Sequence, residues 1–186
     1  MTSGVKDIER QLGIFYPKHW NRKNVFFHID KGIVPTLNLS LNQPIRDFLF
    51  RGGKRIRPRL FLILLEAFGI SPKQYLKYAN FLELIHNGTL ILDDIEDNSK
   101  LRRGKPTCHI KYGADIATNV GVAMHFLPLA ILLERNHRLT TEQQLRIYQI
   151  YSEELINLYC GQAADIYWHK YPSQSIRISE YFEMCR

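Results

Sequence analysis

Four acidic side chains, Asp93, Asp94, Glu96 and Asp97, fall within five consecutive positions of the run Leu90-Ile91-Leu92-Asp93-Asp94-Ile95-Glu96-Asp97, straight after a long apolar helical stretch. Positions 93 and 97 are four apart, so in a helix they share a face, and two carboxylates at the end of a buried helix can clamp a hard cation. Mg²⁺ keeps several waters and is held by one or two carboxylates together with substrate phosphates, so the pair points to metal-dependent diphosphate chemistry. Read alone, the run would be an acidic, solvated helix end. Acids at a C-terminal end oppose the helix dipole, which counts against that reading.

Two basic clusters flank the acids. Arg102-Arg103-Gly104-Lys105-Pro106 follows five residues on, and Gly52-Gly53-Lys54-Arg55-Ile56-Arg57-Pro58 lies upstream. Arginine forks bind phosphate oxygens bidentately and lysine acts as a point charge, so two clusters can hold two polyphosphates, one facing the metal and one a second substrate. The net charge of +7 is compatible with nucleic acid, an anionic membrane surface or small anions. The basic residues sit in glycine-containing turns beside an acidic helix, whose carboxylates would repel a nucleic-acid backbone, and no nucleic-acid motif accompanies them. Small phosphates fit; nucleic acid does not.

The elements that must position these residues read as helices. The chain has 186 residues and is 45% apolar, enough for one domain with a sizeable core. After an irregular entry containing proline and asparagine, residues 41–50 and 57–68 read as helices separated by the Gly-Gly-Lys turn, with Pro58 in a first turn. Pro72 starts a long helix running to Asp97, with Leu76, Ala79, Leu82, Ile85, Leu90 and Leu92 apolar and Gly88 interrupting the pattern. A glycine inside a helix costs about 1 kcal/mol relative to alanine, so space is wanted there. Residues 98–107 form the basic loop. Helices over 108–135 and 141–167 follow, joined by a polar turn at 136–140, with Thr140 or Thr141 as a cap. A last short helix begins near Ser175. The expected architecture is an all-α bundle in a single domain spanning residues 1–186.

No run approaches the roughly eighteen uncharged apolar residues of a membrane span, and the N-terminus has no signal-peptide apolar core. An intracellular, cytoplasmic protein without a transmembrane segment is expected. Cys108, Cys160 and Cys185 are odd in number and lack metal-ligand spacing, so buried or partly buried free thiols are expected.

Taken together, the motifs resemble the trans-prenyl diphosphate synthases, all-α enzymes that condense isopentenyl diphosphate with an allylic diphosphate. The resemblance rests on Gly53-Lys54-Arg55-Ile56-Arg57-Pro58, Glu83-Leu84-Ile85-His86, Asp93-Asp94-Ile95-Glu96-Asp97, Arg102-Arg103-Gly104, and Gly161-Gln162 with Asp165. Residues 93–104 and Asp165-Ile166-Tyr167-Trp168 look most like the geranylgeranyl diphosphate synthases of eukaryotes. Residues 1–40 carry no comparable motif. Each motif has a plainer reading alone: a solvated turn for Gly-Gly-Lys-Arg, a core histidine for His86, a surface loop for Arg102 and Arg103, a polar helix patch for Gln162 and Asp165. Their joint occurrence in order overrides those readings.

Carried over residue by residue, the resemblance implies that Asp93 and Asp97 bind the Mg²⁺ that holds the allylic diphosphate, with Asp94 supporting and Arg102 pairing with that diphosphate. Lys54, Arg57, His86 and Arg103 correspond to the pocket for isopentenyl diphosphate. Gln162 and Asp165 match positions facing the reacting centre from another helix. In the family, aromatic residues where this chain has Thr89 and Gly88 stop the product short. Their absence implies a product of twenty carbons or more, with Ile85 and residues such as His125 or Phe126 as candidate floor.

The family's pattern continues past residue 186 with a Lys-Thr pair and a second aspartate-rich motif, so the resemblance implies that this chain alone is inactive or nearly so. It would be half of a split synthase or a truncated product. Either leaves an apolar surface that favours a homo-oligomer, or a hetero-oligomer with a C-terminal half or a full-length synthase. A non-catalytic prenyl-diphosphate-binding or regulatory subunit is the alternative, and a terpene cyclase ranks below it because it would not require Lys54, Arg57 and His86.

Overall fold

The computed structural model of the chain describes residues 3–25, 27–133, 139–172 and 175–185. It divides into two compact units, Met1–Glu134 and Arg135–Arg186, each considered by itself. In the first, α1 (Ser3–Phe15) replaces the irregular entry expected from the sequence. Ile8, Leu12 and Phe15 recur every three or four residues and are buried together with Tyr16 and Trp20. The prolines and asparagines that suggested irregularity come after α1. Asn38 accepts a hydrogen bond from the Trp20 backbone N–H (2.7 Å) and returns one to the Trp20 carbonyl (2.8 Å), pinning the connecting segment.

Helical structure resumes with α2 (Val34–Leu37), passes through a π-helical turn over Asn38–Asn42 and continues as α3 (Gln43–Leu49), so the helix expected from residue 41 begins earlier. The π-turn ends two residues before Pro44, whose missing N–H denies residue 40 its α-helical partner. α4 (Ile56–Ala67) matches expectation within a residue. α5 (Leu76–Glu96) starts four residues later than expected because Pro72–Gln74 form a separate 3₁₀ turn. It is the axis of the unit, burying Ala79, Leu84 and Ile91 completely.

The basic loop is a two-stranded hairpin, β1 (Leu101–Arg102) against β2 (Lys105–Pro106). Its central residues Arg103 (φ 54°) and Gly104 (φ 74°) are both left-handed, the signature of a type I′ turn whose twist matches its strands.

The single helix expected over 108–135 is broken. It comprises α6 (Cys108–Tyr112), α7 (Ala114–Phe126), a 3₁₀ turn at Leu127–Leu129 and α8 (Ala130–Leu133). Gly113, at φ 92° and ψ 153°, makes the first break, and Pro128, which lacks an N–H, lies in the second. The stretch Ala114–Leu133 also corrects the expectation that no segment approaches a membrane span, because by length and composition it is apolar enough to cross one. Much of its apolar side goes into the core instead: Ala117, Val120, Met124, Ile131 and Leu132 are buried.

α5 and α7 meet at two glycines. A Cβ on Gly88 would lie 2.9 Å from the Gly121 carbonyl oxygen, and one on Gly121 would lie 2.7 Å from the Leu92 side chain. The space that Gly88 frees is therefore taken by α7.

In the second unit, α9 (Thr141–Lys170) runs three residues past its expected end and opens with a capping box in which Thr140 and Gln143 satisfy each other's backbone N–H groups. α10 (Ile178–Cys185) begins three residues after the expected start, and its Met184 carbonyl would lie 2.6 Å from a Cβ on Gly161 of α9. Residues 136–138 of the expected polar turn lie outside the described residues. All three cysteines are free and Cys108 is buried, but Cys160 and Cys185 are exposed, which corrects the expectation of burial for these two on the helices of the second unit.

Candidate functional site

The last turn of α5 carries the carboxylates to the surface in graded fashion. Asp94 points inward and is fully buried, Asp93 is partly exposed and Asp97 is exposed. Arg102 on β1 reaches back to both inner acids. Its Nε donates to Asp94 Oδ1 at 2.9 Å, and its Nη2 lies 2.7 Å from the same oxygen and 3.0 Å from Asp93 Oδ2. The bond to Asp94 raises the Arg102 pKa, so the guanidinium is held as a permanent charge at a helix end that the dipole makes negative. Asp94 acts here as the anchor of Arg102.

Burial, with repulsion from Asp97 next, pushes the Asp93 carboxyl above the usual carboxylate range despite the opposing pull of Arg102. A divalent cation would relieve the repulsion that Asp93 feels from Asp97, so the pair suits that role. Among the described residues, no group of three or more histidine, cysteine, aspartate or glutamate side chains converges on one point. A cation here would lean on water or substrate oxygens for the rest of its shell.

The second basic cluster assembles beside it. Gly52 (φ 92°) and Gly53 (φ 145°) carry the chain through backbone angles closed to most residues, and Lys54 and Arg57 emerge exposed on either side of buried Arg55. Arg103, at the tip of the hairpin, ties this loop to α5: its Nη1 donates to the Gly52 carbonyl at 2.6 Å and its Nη2 to Asn87 Oδ1 at 3.3 Å. His86 is half-buried one residue away. Burial first, then the Arg57, Arg103 and Arg102 charges, hold its imidazole below the ordinary value, partly offset by Glu83. The structure thus gathers Arg57, His86 and Arg103, with Lys54 on the same loop.

Sequence reasoning missed Asn87 and the inward role of Arg55. The available signal was Glu83, a lone acid within the buried stretch of α5.

Gln162 and Asp165 sit one turn apart on α9, in the second unit, where Asp165 Oδ1 is 3.5 Å from His169 Nδ1. Of the residues connected with product length, Thr89 is half-buried with its hydroxyl donating to the His86 carbonyl (2.8 Å), and Ile85 is half-buried. His125 is buried and meets the Cβ position of Gly88, whereas Phe126 is exposed.

A family model described as polyprenyl synthetase matches residues 38–186. A geranylgeranyl pyrophosphate synthase of Eremothecium gossypii is 31% identical over 128 residues, covering 69% of this chain and 40% of the relative. A geranylgeranyl diphosphate synthase of Sulfolobus acidocaldarius is 32% identical, covering 72% and 40%. The crystal structure of geranylgeranyl pyrophosphate synthetase from Pyrococcus horikoshii superposes with a TM-score of 0.77 at 28% identity, over 97% of this chain and 49% of that one. The chain thus spans 40% of the length of these two curated relatives.

Proposed function

The chain belongs to the polyprenyl synthetase family, and from that premise we propose that it contributes to a trans-prenyltransferase that condenses isopentenyl diphosphate with an allylic diphosphate, with geranylgeranyl diphosphate as product. The observation that carries this reading is the hairpin: consecutive residues of it serve two different charged sites, Arg102 the carboxylates and Arg103 the Gly52–Lys54 loop. Two diphosphates held by neighbouring residues are brought close together, which is the requirement for joining their hydrocarbon ends.

In this reading Asp93 and Asp97 hold Mg²⁺, which when bound supplies positive charge to the leaving diphosphate of the allylic substrate. Arg102, oriented by Asp94, adds a fixed positive charge where negative charge develops as the allylic carbon–oxygen bond breaks. Lys54, Arg57 and Arg103 bind the second diphosphate, and neutral His86 adds a hydrogen bond to it. The isopentenyl double bond attacks the allylic cation, and the proton lost from the adjacent carbon passes to the released diphosphate. Thr89 and Ile85 border the growing tail, while Gly88 lets α7 approach.

The three free thiols suit a reducing, cytoplasmic location. Exposed Ile56, Leu60, Ile63 and Leu64 on α4 suit coverage by further helices or another subunit. Incorporation of radiolabelled isopentenyl diphosphate, assayed with the chain alone and mixed with the C-terminal part of a relative, tests the proposal. Product should appear in the mixture and vanish with Asp93→Ala, and Thr89→Phe should shorten it. No incorporation in either arm would refute the reading.

A further inference from the structure

Arg55 stands inside the Gly-Gly-Lys-Arg segment but turns the opposite way from its neighbours. Its backbone adopts the left-handed conformation (φ 49°, ψ 43°), unusual for a residue with a side chain, and this sends the guanidinium into the interior while Lys54 and Arg57 face solvent. The side chain has no exposed surface, and all three of its nitrogens are used. Nε donates to Glu9 at 2.7 Å, Nη1 to Glu83 at 2.6 Å and Nη2 to the Leu49 carbonyl at 2.5 Å.

The chain of bonds continues beyond Arg55. Asn87 Nδ2 donates to the same Glu83 oxygen at 2.8 Å, and Asn87 Oδ1 accepts from Arg103. Arg103 in turn holds the Gly52 carbonyl, and its guanidinium carbon would lie 3.4 Å from a Cβ on Gly53. A closed circuit therefore links α1, the glycine loop, α5 and the hairpin tip. Glu9 is its outermost member, with a side chain 29% exposed, and it lies outside the residues 38–186 matched by the family model.

We propose that Glu9 is a positioning residue for the cation-lined diphosphate cradle, acting through Arg55 on the Gly52–Lys54 loop and, through Glu83 and Asn87, on Arg103. The inference rests on the reading of Lys54, Arg57, His86 and Arg103 as that cradle. Like an outer-shell group around a bound ion, Glu9 touches no substrate but fixes the angle of groups that do. Its carboxylate also balances a guanidinium that would otherwise add to the crowd of positive charge around Arg103, where Arg55 already presses the Arg103 pKa down after burial.

The test is titration of inorganic pyrophosphate into the full chain, once with a metal chelator and once with saturating Mg²⁺. Glu9→Gln preserves size and a hydrogen-bond acceptor at a part-exposed position, and a cooperative denaturant unfolding transition should show that the variant stays folded. It should weaken metal-free binding about tenfold, the scale on which outer-shell partners act. The Mg²⁺-dependent gain in affinity, defined by its loss in Asp93→Asn, should stay unchanged. A merely structural loosening would lower both, and that result overturns the inference. If Lys54→Ala weakens metal-free binding about tenfold while Glu9→Gln matches the wild type, the inference alone falls. If the wild-type chain binds no pyrophosphate without metal, the cradle reading falls and takes the inference with it.

Discussion

The end of α5 and the glycine loop both gather charge at the surface of one unit, but they balance it in opposite ways. At the end of α5, Arg102 sits between Asp93 and Asp94, and the surplus is negative, concentrated on Asp93 and Asp97. At the loop, one inward arginine is fully matched by Glu9 and Glu83, and the surplus is positive, so that His86 and Arg103 are both pushed toward their neutral forms by burial and neighbouring arginines. An unmatched pair of carboxylates invites a cation; an unmatched set of cations invites an anion. In each region one buried ion pair serves as scaffold and leaves the outward groups free to act on a ligand.

The most disruptive way to break this contrast is to remove the scaffold on the basic side. Arg55→Met leaves Glu83, only 3% exposed, without its guanidinium. Denaturant unfolding should show a loss of about 3 kcal/mol, the usual scale for a buried charge stripped of its partner. Next in size is Gly88→Ala, which forces a methyl against the backbone of α7 between the two regions. About 2 kcal/mol of destabilisation is expected from such overpacking, read in the same assay.

Two substitutions should separate the regions by function. Asp93→Asn should cost Mg²⁺-dependent pyrophosphate binding about tenfold, and Lys54→Ala should cost metal-free binding by a similar factor, since each removes a charge-assisted contact. Equal effects of each on both modes would merge the two sites into one.

The smallest expected effect is a titration. The His86 pKa in the folded chain lies below its ordinary 6.5, because burial and Arg57 disfavour the charged ring. On acidification the unfolded chain takes up this proton first. Stability should therefore fall as pH drops through the ordinary histidine range and level off below the folded value. His86→Gln should flatten that segment of the stability curve. Asp93 shifts the other way, so Mg²⁺-dependent binding should begin to weaken, as pH is lowered, before an ordinary carboxylate would take up its proton.

Much of this contrast was readable before any coordinates. The four-residue spacing of Asp93 and Asp97 and the two basic runs announce charged sites of opposite sign because a helical period and a turn composition are local properties. The breaks at Gly113 and Pro128 were also written locally, yet a continuous apolar pattern masked them. The α1 stripe of Ile8, Leu12 and Phe15 is hard to see in the sequence because it stands next to a proline- and asparagine-containing segment without motifs. Gly88 is legible as a demand for room, but whether a ligand or a helix occupies that room depends on Gly121 of α7, more than thirty residues away in sequence.

From its residues alone, then, the chain declares most of its helical stretches, its charged clusters and the family they resemble, since periodicity, capping and motif order are encoded within short spans. Folding decides what those charges do. Adjacent arginines at 102 and 103 serve different sites because a type I′ turn separates them, and Arg55, indistinguishable in sequence from Lys54 and Arg57 as one more cation, turns inward because a left-handed backbone and two acids from distant helices stabilise it there.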